Sequence, residues 1–293
     1  MFEELFAGRA VRVGLLRCEP AEPVWHGLEA SDAGALITFP LTSVVVEPDG
    51  GEAVLANANH AMFFNRGGRY ERRPHDPRGD VSVGVALAPS LLQRLTHGAI
   101  EVPFIQGPCA PDVYLAQHSV VHRLQNGTSL DPDFVEETMV CVATRAVNDG
   151  YALRRMRQGR REATRAMHHR LVERAKAILT ERPAEPWTLD AVAHELHSSE
   201  FHLARIFRTA TGFGIHQYRN ELRLRLALDL LDDAAVKVGD LAHRLGYSSH
   251  SHFTDAFTAV FGAAPMAVRG ALGPRSRHEV DRALDGPLAY RLS

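Results

Sequence analysis

The sequence predicts an α+β multidomain chain. A β-rich N-terminal domain, barrel or sandwich, is followed by helices and then by an all-α domain built on two helix-turn-helix units. Three observations predict this. Residues up to about 110 read as short apolar runs separated by Gly, Pro, Asp and Asn. Beyond Pro111 the apolar residues recur at helical spacing instead. Charge divides in the same way. Residues 1–150 carry 11 Lys/Arg against 19 Asp/Glu, a balance of −8, and residues 151–293 carry 22 against 16, a balance of +6. Only the second half suits a polyanion. Its basic residues are mostly Arg, whose planar fork meets phosphate and guanine with two bonds at once. With 293 residues, 45% of them hydrophobic, both halves can bury a core.

In the first domain, residues 1–110, runs at 11–16, 34–39, 43–46, 53–56, 60–64 and 81–87 read as strands. Turn clusters at 48–51, 65–68 and 77–80 divide them. Short strands at close spacing imply a barrel or sandwich, and a barrel mouth is a common place for a small ligand. His26, His60, His75 and His97 include no HxH pair, so no metal is expected. Arg66, Arg69, Arg72 and Arg73 either bind an anion or sit on a solvated loop. Cys18, Cys109 and Cys141 stand apart, with no CxxC spacing. A reducing cytoplasm is the simplest compartment for them. No segment is apolar over the length a bilayer crossing needs, so no membrane association is expected.

Residues 111–164 form the next region. Tyr114, Leu115, His118, Val121 and His122 fall on one helical face, and Asn126-Gly127 ends it. A second helix starts at 131–133 and carries Phe134, Thr138, Val142 and Ala146. These helices either cover the sheet or pair with a second copy. Residues 153–165 hold six Arg against one Glu and read as a linker or hinge, able to touch phosphates.

Residues 165–272 carry helical signals without a strand. Met167, Leu171, Ala175, Ile178 and Leu179 stripe one helix, which stops before Pro183. Thr188 caps the next. Ser199 caps another, whose Leu203, Ile206, Phe207 and Ala210 face inward. A long connector spans 215–231. Leu241, Ala242 and Leu245 then make a short apolar face, Gly246 turns the chain through a positive φ, and Ser249 or Ser248 caps the last long helix. Phe253, Ala256, Phe257, Val260 and Phe261 stripe that helix at i, i+3, i+4, i+7 and i+8. His250, Ser251, Thr254 and Asp255 occupy its other face, with short polar groups suited to base edges. One helix braces and the next presents polar side chains, twice over. A connector of about 25 Å sets two readers near the 34 Å or so between major-groove faces on one side of B-DNA. Residues 273–293 form a tail with no readable pattern.

These motifs carry a resemblance. Leu189-x-x-Val-Ala, His202-Leu-Ala-Arg-Ile-Phe-Arg208, Gln217-Tyr218 and Arg223-Leu-x-x-Ala227 match, and so does Val238-x-Asp-Leu-Ala-x-x-Leu-Gly-Tyr-Ser-Ser-x-Ser-His-Phe-x-x-Ala-Phe257. About a third of the chain resembles the DNA-binding domain of the AraC/XylS family of bacterial transcription regulators. Two positions depart from it. His197 stands where the first turn usually has Gly, and Asp255 stands where a donor such as Arg is common. The resemblance implies base or backbone contacts at Ser199, Glu200, Phe201, His202, Ala204, Arg205 and Arg208 in the first reader. In the second it implies Ser249, His250, Ser251, Thr254 and Asp255. Arg205 is the expected guanine reader, His252 a structural residue, and Arg223 and Arg225 intramolecular partners. The resemblance also implies a cupin-like sensor domain at the N-terminus, though the metal-binding cupin pattern is missing.

The expected function is a cytoplasmic, sequence-specific transcription regulator of the AraC type, activator or repressor, and not an enzyme. Its expected partners are double-stranded promoter DNA, RNA polymerase, a small-molecule effector and a second copy in a homodimer, and no cofactor is expected. A repair methyltransferase carrying such a module would need a nucleophilic Cys and a four-Cys zinc site, which three scattered cysteines do not provide.

Overall fold

The computed structural model describes residues 2–18, 25–26, 34–157, 162–231 and 236–272. The expected tail lies outside the described residues. Among the described residues the N-terminal half has ten strands: β1 (Phe2–Ala7), β2 (Val11–Cys18), β3 (Trp25–His26), β4 (Ala35–Pro40), β5 (Val44–Pro48), β6 (Val54–Ala56), β7 (His60–Asn65), β8 (Tyr70–Pro74), β9 (Asp80–Leu87) and β10 (Gln106–Pro108). They form two antiparallel sheets. The larger runs β1-β2-β9-β4-β7-β10, and the smaller β3-β8-β5-β6. All six expected strands are present.

Alternation along the strands sorts two cores. Leu16, Leu36, Met62, Phe64 and Ala86 of the larger sheet meet Val44, Val46, Val54 and Tyr70 of the smaller one. Neighbouring positions such as Val13, Leu15, Ile37, Phe63, Val83 and Val85 point to the sheet's other face. There the helices α1 (Pro89–Leu95), α2 (Pro111–Gln125) and α3 (Pro132–Arg157) cover them. β4 is therefore buried on both faces along its whole length.

The Arg cluster does not behave as one solvated loop. Arg72 lies inside, paired with buried Asp80, which also accepts from Ser82 Oγ at 2.9 Å. Strand alternation puts Tyr70 and Arg72 inward and leaves Glu71 and Arg73 at the surface. Arg73 pairs there with Glu47 at 2.5 Å and Glu71 at 3.2 Å. Only Arg66 and Arg69 remain on an exposed turn.

The C-terminal half is helical: α4 (Glu162–Glu181), α5 (Leu189–Glu195), α6 (Glu200–Thr211), α7 (Ile215–Leu231), α8 (Val238–Arg244), α9 (His250–Phe261) and α10 (Pro265–Leu272). The described part of the expected linker at 153–165 is helical, with α3 ending at Arg157 and α4 starting at Glu162, and residues 158–161 lie outside the described residues. The stripe on α4 also starts later than expected. Met167 is 55% exposed, and the buried positions are Val172, Ala175, Lys176 and Leu179.

The two halves share buried contacts. Asn57, Asn59 and His60, on the turn from β6 to β7, are all buried. Asn57 Nδ2 donates to Thr180 Oγ1 and to Tyr218 Oη, each at 2.8 Å. Asn59 Nδ2 donates to the Tyr218 carbonyl at 2.8 Å and its Oδ1 accepts from Arg225. Arg225 also donates to the Cys109 carbonyl at 2.6 Å and pairs with Glu221 at 2.9 Å. His118 of α2 meets Asp229 of α7 at 3.2 Å.

Candidate nucleic-acid interface

Each helix-turn-helix unit closes on its own apolar face. In the first, α5 contributes Val192 and Ala193, and α6 contributes Leu203, Ile206 and Phe207. Tyr218 of α7 fills the centre, edge-on to Phe207 at 5.2 Å. In the second, Leu241, Ala242 and Leu245 pack on Phe253, Phe257 and Phe261. The aromatic stripe on α9 is inward, as its spacing predicts.

The caps place the front of each reading helix. Thr188 Oγ1 accepts from the Ala191 N–H at 3.1 Å, Ser199 Oγ from His202 N–H at 3.3 Å, and Ser249 Oγ from His252 N–H at 3.1 Å. Ser199 and Ser249 are thus occupied as acceptors, while their hydroxyl protons remain free to donate. Both turns need a left-handed residue. Gly246 takes φ 74°, and His197 takes φ 51° in the equivalent turn.

The connector α7 ties the units together. Arg223 donates to the Leu245 carbonyl at 2.6 Å and lies 3.7 Å above the Tyr247 ring. Tyr247 Oη donates to Asn220 Oδ1 at 2.9 Å, and burial pushes its phenol up to about 12. Arg219 reaches back to the Pro183 carbonyl at 3.1 Å. Arg223 and Arg225 are both spent inside the protein, so neither faces a nucleic acid.

What remains outside is a pair of polar faces. On α6, Glu200, Phe201, Arg205 and Arg208 are exposed, and Phe201 reaches 81%. His202 and Ala204 are half-buried. The His202 ring meets His168 of α4 at 5.0 Å, and its Nδ1 lies 3.5 Å from Arg205 Nη2. On α9, His250, Ser251 and Asp255 are exposed. Thr254 is half-buried with its hydroxyl oxygen enclosed, so it stands apart from the other expected readers. His252 is held between Ser248 Oγ at 3.0 Å and the Tyr247 ring at 5.5 Å. Two arginines stand on the first reader. On the second the exposed charge is Asp255, beside His250.

Among the described residues no group of three or more His, Cys, Asp or Glu could hold a metal ion. None of the described helices is long and apolar enough to cross a membrane. Sequence reading missed the residues that join this interface to the N-terminal half. Asn57, Asn59 and Arg157 find their partners across 53 or more residues, and no local spacing marks such pairs.

Residues 192–271 match the family described as a helix-turn-helix domain. Over 169 residues the chain is 27% identical to the HTH-type transcriptional regulator YidL of Escherichia coli strain K12, covering 54% of each protein. It is 30% identical over 104 residues to the HTH-type transcriptional regulator AlkR of Acinetobacter baylyi, covering 36% of this chain and 34% of that one. It is 34% identical over 93 residues to the HTH-type transcriptional activator RhaS of Escherichia coli strain SE11, covering 32% and 34%. The chain therefore spans between a third and about half the length of these relatives. Over residues 192–271 the chain is therefore similar to the helix-turn-helix part of proteins named as transcriptional regulators.

Proposed function

We propose that this protein is a sequence-specific transcription regulator of the AraC/XylS type, and that its N-terminal β-domain controls its DNA-binding half. One observation carries the reading. Two capped reading helices, held on one connector, bury their apolar faces against their bracing helices and keep polar faces exposed. An enzyme would spend such residues on a pocket.

The first reader is the stronger anchor. Arg205 donates two hydrogen bonds to guanine O6 and N7, Phe201 lies against a thymine methyl, and Arg208 meets phosphate. Glu200, His202, Ala204 and the Ser199 hydroxyl border that contact. The second reader uses His250, Ser251, Ser249 and Asp255. A carboxylate there accepts from cytosine N4 and repels phosphate, so this half adds discrimination more than affinity. The segments 1–110, 111–164 and 165–272 serve as sensor, helical spacer and reader. A small effector, RNA polymerase and a second copy of the chain are its proposed partners, and the cytoplasm its proposed location. Relatives named as activators support that extension.

The test is selection of bound sequences from random double-stranded DNA by the full chain. Enrichment of one asymmetric motif with a guanine in its first half is the expected result. Recovery of unenriched DNA would overturn the reading.

A further inference from the structure

The two reading units are joined by more than the helix between them. α7 runs from Ile215 to Leu231 with no Gly or Pro inside it, so it has no ready hinge. Ile215, Tyr218 and Leu222 belong to the core of the first unit, and Leu224, Ala227, Leu228 and Leu231 to the core that holds the second. Three side chains within one turn of α7 then engage both units. Arg219 donates to the Pro183 carbonyl at 3.1 Å and to the Ala184 carbonyl at 3.5 Å, in the loop that leads into α5. Arg223 donates to the Leu245 carbonyl at 2.6 Å and covers the Tyr247 ring, and Asn220 Oδ1 accepts from Tyr247 Oη at 2.9 Å. The turn between Leu245 and Tyr247 also meets the first unit directly, since Gly246 leaves no room for a Cβ against the Ala184 carbonyl oxygen. That turn aims α9, so the first unit braces the aim of the second reader.

Stability alone does not account for Arg223. It is buried, yet its Nη2 is enclosed without a hydrogen-bond partner, which costs stability. An apolar residue would avoid that cost, but it could not hold the Leu245 carbonyl and the Tyr247 ring at once. We propose that Arg219, Arg223 and Tyr247 fix the separation of the two reading helices, so that the protein accepts one spacer length between its two half-sites. This rests on the reading that both helices contact DNA. One added base pair shifts a half-site by about 3.4 Å and turns it by about 34°. A clasped pair of readers cannot follow that step, so the DNA must deform or one half must let go. Arg219, Arg223 and Tyr247 are thus positioning residues, which set specificity without touching a base.

The test uses the full chain and the duplex that its selection enriches. Affinity is measured for that duplex and for copies with one base pair added or removed between the halves. Wild type should lose at least about thirtyfold with either copy. Arg219→Gln, Arg223→Gln and Tyr247→Phe should each cut that penalty to about fivefold, with the preference at every base position kept. Arg223→Lys, which can still donate to the Leu245 carbonyl, should restore part of it. Arg269→Gln is the structural control. It releases α10 from the Leu231 and Val236 carbonyls, touches neither clasp nor reading face, and should leave the penalty at its wild-type size. A wild-type loss below about threefold, a selected motif confined to one half, or an undiminished penalty in the folded clasp variants would overturn the proposal and leave DNA reading standing. Selection that enriches no motif would overturn both. Should Arg223→Gln fail to fold, Tyr247→Phe and Arg219→Gln decide it.

Discussion

At the scale of single residues, two side chains separate what the sequence shows from what only coordinates show. Arg205 is exposed on the front half of α6 and pairs with no carboxylate among the described residues, which is the state a base reader needs. Arg205→Ala should lose about 1–3 kcal/mol of discrimination at one guanine, measured as the ratio of affinities for the selected site and its single-base variants. A uniform loss across all variants would reassign it to phosphate. His197 carries a different lesson. The sequence marks it as a departure from Gly, and the structure puts it at φ 51° in the turn between α5 and α6. A side chain in that region costs roughly 1–2 kcal/mol, part of which glycine's greater unfolded-state freedom takes back. His197→Gly should therefore stabilise the chain by about 0.5–1 kcal/mol in urea unfolding, with the reading face unchanged.

At the scale of elements, periodicity made the C-terminal half legible and left parts of the N-terminal half hidden. The stripes of α6 and α9 are long and uninterrupted, so caps, turns and buried faces all follow from spacing. β8 was missed because its inward position is Arg72, and a buried ion pair with Asp80 looks like surface charge in a sequence. β1 was missed because it is an edge strand with Glu3 and Glu4 exposed and a bulge between Glu4 and Phe6. The turn before α9 allows a firm prediction. Gly246 has a positive φ, and a Cβ there would run into the Ala184 carbonyl oxygen, a backbone atom that cannot swing away. Gly246→Ala should cost about 2–4 kcal/mol, combining left-handed strain with overpacking. Gly239→Ala has open space and no such φ, and should be close to neutral or stabilising in the same urea assay.

At the scale of the whole molecule, the reader is not hung on a free tether. Buried polar groups of the β6–β7 turn grip α7, the helix that spaces the two readers. A signal that moves this turn moves the spacing, with no need to cover either reading face. The grip should also be costly to break. Arg225→Ala leaves buried Glu221 without its cation and Asn59 and the Cys109 carbonyl without a donor, so a loss of about 3–5 kcal/mol is expected on urea unfolding. The same junction sets a pH dependence. His60 is buried beside Asn57, and burial, with the nearby Lys176 and Arg225 charges, holds its pKa well below 6.5. The unfolded chain therefore binds a proton that the folded chain refuses as pH drops through about 6.5. This contribution to stability is complete above that pH and is lost progressively below it, until the folded-state pKa is reached. Unfolding midpoints from pH 7.5 down to pH 5 should fall. His60→Asn, which keeps a polar side chain but cannot titrate, should start lower at pH 7.5 and fall less steeply. An unchanged slope in that variant would place the acid sensitivity elsewhere and leave the junction a purely mechanical coupling.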